Sequence, residues 1–287
     1  MNKSFSTILA TTVLAAAAAH AGVPLNNLQG VGGIAFNPLA YTAGQPWEGG
    51  ETNALNGIVS KLQAGLWYVN LNDADIGWFA VGAAITFADR LELSYGYGFT
   101  DAKKYGDNSI DSNNFGAKLR ILDENAFGTA WVPAVAIGTV YKHTNTSLAR
   151  DFALDKGGFD YYAVASKLVK ETPVPVLLSA GVLCSDEVVN GVIGHGEYDV
   201  SYFGNIDILQ SANVAIGFEY KSGIDADTSG ISNHDYYDGH VAWFVTPQLT
   251  LVGAYAYTGD KDKFYRDGHA RDLGFGSGFV LSVQYQF

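Results

Sequence analysis

The sequence has little charge and only one cysteine. Charged residues make up 16% of the 287 residues, against about 25% in average globular chains. With Cys184 alone, no intramolecular disulfide can form. The formal net charge of −12 leaves no basic surface for a nucleic acid, so we expect no nucleic-acid partner. No sequence pattern implies a cofactor.

Long hydrophobic runs are also missing after the N-terminus, which excludes a transmembrane helix there. The N-terminus itself is typical of an export signal, with Lys3, an Ala-rich apolar stretch and the cleavage pattern Ala19-His20-Ala21. We therefore expect residues 1–21 to be a cleaved signal peptide. An uncleaved anchor helix is the alternative, which the short apolar run disfavours.

Glycine and aromatic residues are abundant, with 34 Gly, 17 Tyr and 16 Phe. The last eleven residues, 277–287, alternate an apolar face with a face of small and amide side chains. This period of two predicts a strand, and about ten tilted residues can cross a bilayer. A half-buried soluble strand would give the same alternation. The aromatic end resembles the closing strand of bacterial outer-membrane β-barrels, so we expect Phe279, Tyr285 and Phe287 to signal to the barrel-assembly machinery.

The same alternation recurs from residue 60 onward. We predict twelve strands, at residues 60–71, 76–87, 90–100, 113–122, 131–142, 158–168, 175–184, 197–208, 212–221, 235–245, 249–258 and 277–287. The facing of strands one, six and seven is not decided. Short turns at 123–126, 170–174, 209–211, 246–248 and near Asp89 alternate with loops at 101–112, 143–157, 185–196, 222–234 and 259–276; only 72–75 is short where a long loop is expected.

This asymmetry is typical of outer-membrane barrels, which have short periplasmic turns and longer extracellular loops. We therefore predict an all-β fold, an antiparallel transmembrane β-barrel over residues 60–287. It would lie in the outer membrane of a Gram-negative bacterium, in contact with lipid.

Residues 22–59 differ from the rest, being rich in Gly, Pro and Asn and showing little alternation. Such composition predicts turns and loops. Two interpretations stay open: a periplasmic leader, or a segment folded into the lumen as a plug. Ile34, Phe36, Leu39 and Tyr41 would give a plug something to bury.

Charged residues within the strands fall on the faces opposite the apolar ones, because a charge facing lipid is costly. We predict that the lumen is lined by Glu92, Lys118, Arg120, Lys142, Asp199, Asp207, Glu219, Lys221, Asp238, His240 and Gln284. If Phe99 lies opposite Asn113, Glu92 faces Arg120 across the strand pair, and opposite charges on one face attract.

Four stretches resemble an uncharacterised family of proteobacterial exported proteins of unknown function, grouped with outer-membrane barrels. They are DRLELSY at Asp89–Tyr95, FGAK at Phe115–Lys118, YYAVASKL at Tyr161–Leu168 and the closing LSVQYQF. The resemblance implies the barrel fold and the outer-membrane location. It transfers no catalytic or binding residue.

Residues with catalytic or metal-binding chemistry form no recognisable constellation. His234 and Asp235 are adjacent and would point to opposite faces of a strand, and the spaced carboxylates of the loops do not form a complete Ca²⁺ loop. We expect no catalytic residue and no metal site. The sequence favours a passive channel or transporter for an unidentified small solute; the alternatives are a structural or assembly protein of the envelope and an outer-membrane hydrolase.

Overall fold

Twelve strands close into one antiparallel β-barrel in the computed structural model, which describes residues 25–45, 58–101, 109–145, 155–189, 193–226, 231–260 and 274–287. The barrel strands are β1 (Gln63–Leu71), β2 (Ile76–Phe87), β3 (Leu91–Asp101), β4 (Ser109–Leu122), β5 (Ala134–Asn145), β6 (Gly157–Val169), β7 (Val176–Val189), β8 (Ile193–Ser211), β9 (Val214–Lys221), β12 (Tyr236–Phe244), β13 (Leu249–Tyr257) and β14 (Ser277–Gln286). Two short strands, β10 (Asp225–Ala226) and β11 (Ile231–Ser232), pair outside the barrel. The predicted fold class and strand number are confirmed.

Side chains alternate between an exposed apolar outer face and a buried inner face. The outer face carries large apolar side chains on every strand, among them Leu66, Phe79, Leu93, Phe115, Ile137, Phe159, Val182, Ile206, Ile216, Val241, Tyr255 and Leu281. The strands whose facing the sequence left undecided follow the same rule: Trp67, Tyr162 and Leu183 point inward from β1, β6 and β7. No helix among the described residues is long and apolar enough to cross a membrane.

The short turns near Asp89 and at 123–126, 170–174 and 246–248 lie where the sequence predicts them, with some differences in length, whereas the turn predicted at 209–211 lies at 212–213 because β8 continues to Ser211. The tightest are residues 88–90 and 212–213, and Ala88 and Asp89 adopt positive φ angles of 49° and 54° in the first of them. The connection after β4 is longer than predicted, because Ala126–Gly128 forms a 3₁₀ turn. At the other end, β7 and β8 run through most of the predicted loop 185–196 and leave only residues 190–192 between them.

The last strand closes the barrel by pairing on both sides. Val283 lies opposite Leu66 of β1 and Leu251 of β13. The backbone N–H of Phe287 donates to the carbonyl of Leu62 at 3.0 Å. Closure leaves no free sheet edge with unpaired backbone N–H and C=O groups at β1 or β14.

The register of β3 and β4 corrects one prediction. Phe99 lies opposite Asp111 rather than Asn113, and Glu92 therefore faces Lys118 instead of Arg120. The cause is that both strands extend further than predicted, β3 to Asp101 and β4 from Ser109. The shift of two residues keeps every side chain on its predicted face and changes only its partner.

Candidate functional site

The interior of the barrel holds residues 25–45, which we call the lumen segment. It contains no Lys, Arg, Asp or Glu. All of its residues are buried except Pro38 and Gln45, which are partly buried. It forms turns rather than regular structure, organised by Asn27, whose side-chain oxygen accepts hydrogen bonds from the N–H groups of Gln29 and Val31, both at 3.0 Å.

Glycines let the lumen segment lie directly against the wall. A Cβ at Gly96 of β3 would lie 2.3 Å from the carbonyl oxygen of Gln29, and one at Gly82 of β2 would lie 2.6 Å from the Cα of Gly30. Gly30 itself has a φ of +88°, a left-handed conformation that glycine adopts without steric cost. Three glycines therefore define one close contact between segment and wall.

A buried ion pair holds the segment near this contact. Lys118 Nζ lies 2.9 Å from Glu92 Oε2, and both side chains are at most 1% exposed. Glu92 also accepts hydrogen bonds from the backbone N–H groups of Gly32 at 2.9 Å and Ala43 at 2.7 Å. Lys118 donates to the carbonyls of Gly32 at 2.9 Å and Tyr41 at 2.7 Å. The segment thus completes the hydrogen bonding that two buried charges require.

A second anchor is Glu219 of β9. Its carboxylate accepts three consecutive backbone N–H groups, from Ala35 at 3.1 Å, Phe36 at 3.0 Å and Asn37 at 2.7 Å. The side-chain amide of Asn37 donates to the carbonyl of Tyr220 at 2.9 Å. Glu219 is fully buried, so these three donors replace the water that a carboxylate would otherwise bind.

Beside this anchor lies a cluster of Asp207, Asp238 and His240, from β8 and β12. The Nδ1 and Nε2 atoms of His240 lie 2.7 Å from Asp238 Oδ1 and 2.8 Å from Asp207 Oδ1. Gly217 lies between Asp207 and His240 on β9, and a Cβ there would be 2.4 Å from both. The missing side chain makes room for the bridge across three strands.

Neutral polar side chains hold the two ends of the segment. Gln284 of β14 accepts from the N–H of Asn26 at 2.9 Å, and the indole N–H of Trp67 donates to the carbonyl of Asn26 at 2.7 Å. Near the other end, the N–H of Gly44 donates to Gln63 at 3.0 Å.

Tyr41 reaches one end of the barrel, where its hydroxyl donates to Glu124 at 3.0 Å. Burial and the Glu124 carboxylate raise the pKa of Tyr41, which keeps this hydroxyl protonated as a donor.

A family model described as "Protein of unknown function (DUF3034)" matches residues 22–267. The chain belongs to this family. No curated protein matches it.

Solved barrels similar to this DUF3034 chain include outer-membrane proteins and porins. The outer membrane protein Omp33 of Acinetobacter baumannii shares 13% identity over 80% of this chain and 100% of its own, with a TM-score of 0.46. The NanC porin shares 9% identity over 79% and 100%, and the KdgM porin 10% over 79% and 99%, each with a TM-score of 0.48. The barrel assignment itself rests on the strand pairing described above.

The structure places most of the predicted lumen residues inside this DUF3034 barrel. Buried in the lumen are Glu92, Lys118, Lys142, Asp207, Glu219, Lys221, Asp238, His240 and Gln284. Arg120 instead lies at the turn end, where its side chain is 20% exposed and bonds to Asp123 at 3.1 Å. Asp199 is half-buried on β8.

Two groups of residues that line the lumen are not predicted from the sequence. Asp160 pairs with Lys142 inside the barrel, but the inward face of β6 also carries Tyr162, Val164 and Leu168. An inner face that packs against an apolar segment does not alternate apolar with polar. Gln63 and Trp67 were missed for the same reason, because β1 is mixed on both faces.

Proposed function

We propose that this DUF3034 protein is an outer-membrane channel for a small polar solute, closed in this structure by the lumen segment. The continuous apolar outer face is suited to lipid, and the charged wall beneath the segment is suited to a water-filled path. We also propose that residues 1–21, outside the described residues, are removed on export. Phe279, Tyr285 and Phe287 lie exposed on the outside of the closing strand, in keeping with a role in assembly.

The observation that carries the proposal is the way the segment is held. A segment without any charge binds a wall that keeps buried charges, largely through backbone N–H and carbonyl groups. A permanently filled barrel would gain nothing from those charges, because well-packed apolar residues in their place are often neutral or stabilising. Water can take over the same hydrogen bonds when the segment leaves. The wall is therefore suited to both a closed and an open state.

Single-channel conductance in planar bilayers tests the proposal. The full chain should open rarely, and a variant lacking residues 30–45 should show large, frequent steps. The complementary test fixes the segment to the barrel wall through a disulfide, which we call the tether. A Cβ at Gly116 of β4 would lie 3.0 Å from Cγ2 of Val31. Val31→Cys with Gly116→Cys, in a Cys184→Ser background, should therefore form this disulfide. The oxidised tether should be silent and recover openings on reduction. A folded deletion variant that never conducts would overturn the proposal.

The second candidate is a structural or assembly protein of the envelope with a permanently filled barrel. The favouring observation is the apolar side of the segment, where Leu28, Ile34 and Leu39 are at most 2% exposed in a cluster that includes Trp67 and Tyr162. Silence of the deletion variant would support this candidate.

An outer-membrane hydrolase is less well supported. Both ring nitrogens of His240 bond to carboxylates, so neither is directed at a hydroxyl nucleophile as a general base would be. Turnover of a lipid or peptide ester by the purified protein would instead support the hydrolase hypothesis.

A further inference from the structure

Three polar side chains form one row across neighbouring strands. Asn205 of β8 lies opposite Glu219 of β9, which lies opposite Asp238 of β12. All three are buried, Glu219 and Asp238 completely. Directly opposed residues on one face of a sheet are close enough to interact, and like charges there repel. This row therefore places two carboxylates side by side with an amide as their neighbour.

In this row, the hydrogen-bond acceptors outnumber the donors that the barrel strands provide. Oδ2 of Asp238 and Oδ1 of Asn205 have no hydrogen-bond partner among the described residues. The remaining polar atoms are used: Asp238 Oδ1 bonds to His240, and the Asn205 amide donates to Asp207. Buried acceptors are normally satisfied, so this place favours a group that donates several hydrogen bonds.

The lumen segment shows which kind of group fits. At Glu219 it presents three adjacent N–H donors, from residues 35–37, at 2.7 to 3.1 Å. An ammonium group also offers three N–H donors and a guanidinium five. Unlike the neutral segment, either would bring the positive charge that two opposed carboxylates favour.

The charge around the row is negative compared with the rest of the lumen. Glu92 and Asp160 each have a lysine partner, Lys118 and Lys142. Asp207 and Asp238 instead share the single ring of His240, and Glu219 lies opposite Asp238 and two residues from the buried Lys221, so three carboxylates here meet one lysine and one imidazole. A cation entering the open lumen would find its most favourable place there.

We propose that the open pore takes small organic cations that carry an ammonium or guanidinium group, and that this group binds Glu219 between Asn205 and Asp238 in place of residues 35–37. This inference rests on the proposed channel function, because the row is accessible only when the segment has left. The segment then acts as an internal mimic of the solute.

Permeability through the variant lacking residues 30–45 tests the inference. Methylguanidinium and methylammonium should permeate in preference to chloride, and should slow the K⁺ current at lower concentration than tetramethylammonium, which has no N–H donor. Glu219→Gln should weaken this block about tenfold, as expected for loss of a charge-assisted hydrogen bond. The matched control is the pair Glu92→Gln with Lys118→Gln, which removes a neutral ion pair from the same lumen and should leave the block unchanged.

Two failures can be told apart. A conducting variant that prefers anions, or that is blocked equally by tetramethylammonium, overturns the inference and leaves the channel intact. A folded variant without conductance overturns the channel and the permeation part of the inference, and calorimetric titration with methylguanidinium then decides the binding site: binding lost in Glu219→Gln supports the site, and no binding overturns it. If the deletion does not fold, Gly82→Val with Gly96→Val in the full chain serves instead, since both side chains would displace Gln29 and Gly30.

Discussion

The two carboxylates that anchor the lumen segment, Glu92 and Glu219, are equally buried but differently compensated. Glu92 has a lysine of its own, and Lys118 in turn binds two carbonyls of the segment. Glu219 faces another carboxylate, Asp238, and depends on the segment for its three donors. At the first anchor the charge of Glu92 is neutralised by a lysine of the barrel wall itself, whether or not the segment is bound. At the second anchor the N–H groups of the segment compensate the carboxylate of the barrel wall, and this is where the proposed solute would compete with the segment.

The largest effect on how tightly the lumen segment is held should come from breaking the Glu92–Lys118 ion pair. Lys118→Ala leaves Glu92 buried without a counter-charge and removes two hydrogen bonds to the segment. Removing one partner of a buried ion pair costs about 3–5 kcal/mol, so the segment should detach. The readout is the thiol-labelling rate of Val31→Cys in a Cys184→Ser background, which should rise by orders of magnitude. Unchanged labelling would mean that the ion pair does not hold the segment.

A smaller effect on the release of the segment is expected from Gly96→Ala, because the added methyl group would clash with the segment close to the same ion pair. The added Cβ would lie 2.3 Å from the carbonyl of Gln29, and overpacking costs about 1–3 kcal/mol. Labelling should rise at Val31→Cys but not at Phe36→Cys, near Glu219, if the two anchors release separately. Gly77→Ala on the outward face of β2, where a Cβ would meet nothing within 4 Å, is the control. Equal release at both positions would show that the segment moves as one piece.

The smallest effect should come from Glu219→Gln. The amide keeps one acceptor for the three N–H groups and relieves the repulsion with Asp238, so the net loss should be about 1 kcal/mol, the value of an ordinary hydrogen bond. Labelling of Phe36→Cys should rise several-fold, far less than Val31→Cys does in Lys118→Ala. A loss as large as that of Lys118→Ala would contradict the different compensation of the two anchors.

Sequence reasoning succeeded where a side chain's position follows from its own strand. Phe279, Leu281 and Val283 face outward because they alternate with small and amide residues, and charges such as Glu219 then face inward. It gave the wrong cross-strand partner for Glu92, Arg120 instead of Lys118. The register of two strands depends on where the hairpin between them ends, and β4 begins at Ser109, four residues before its predicted start. Sequence reasoning also missed Asp160, because most of the other inward-facing side chains of its own strand, β6, are apolar.

The sequence by itself determined the strand number and the facing of most side chains, because a period of two is a local property of the chain. It indicated a barrel through the alternation of short turns with longer loops, which is also read along the chain. Only the tertiary structure decided where residues 25–45 lie. Their composition suits a leader and a plug equally well, since nothing in a run of Gly, Asn and apolar residues specifies what it contacts. Their place is set by groups distant in sequence: the glycines of β2 and β3, the Glu92–Lys118 pair and the Glu219 carboxylate, which meet only when the barrel closes.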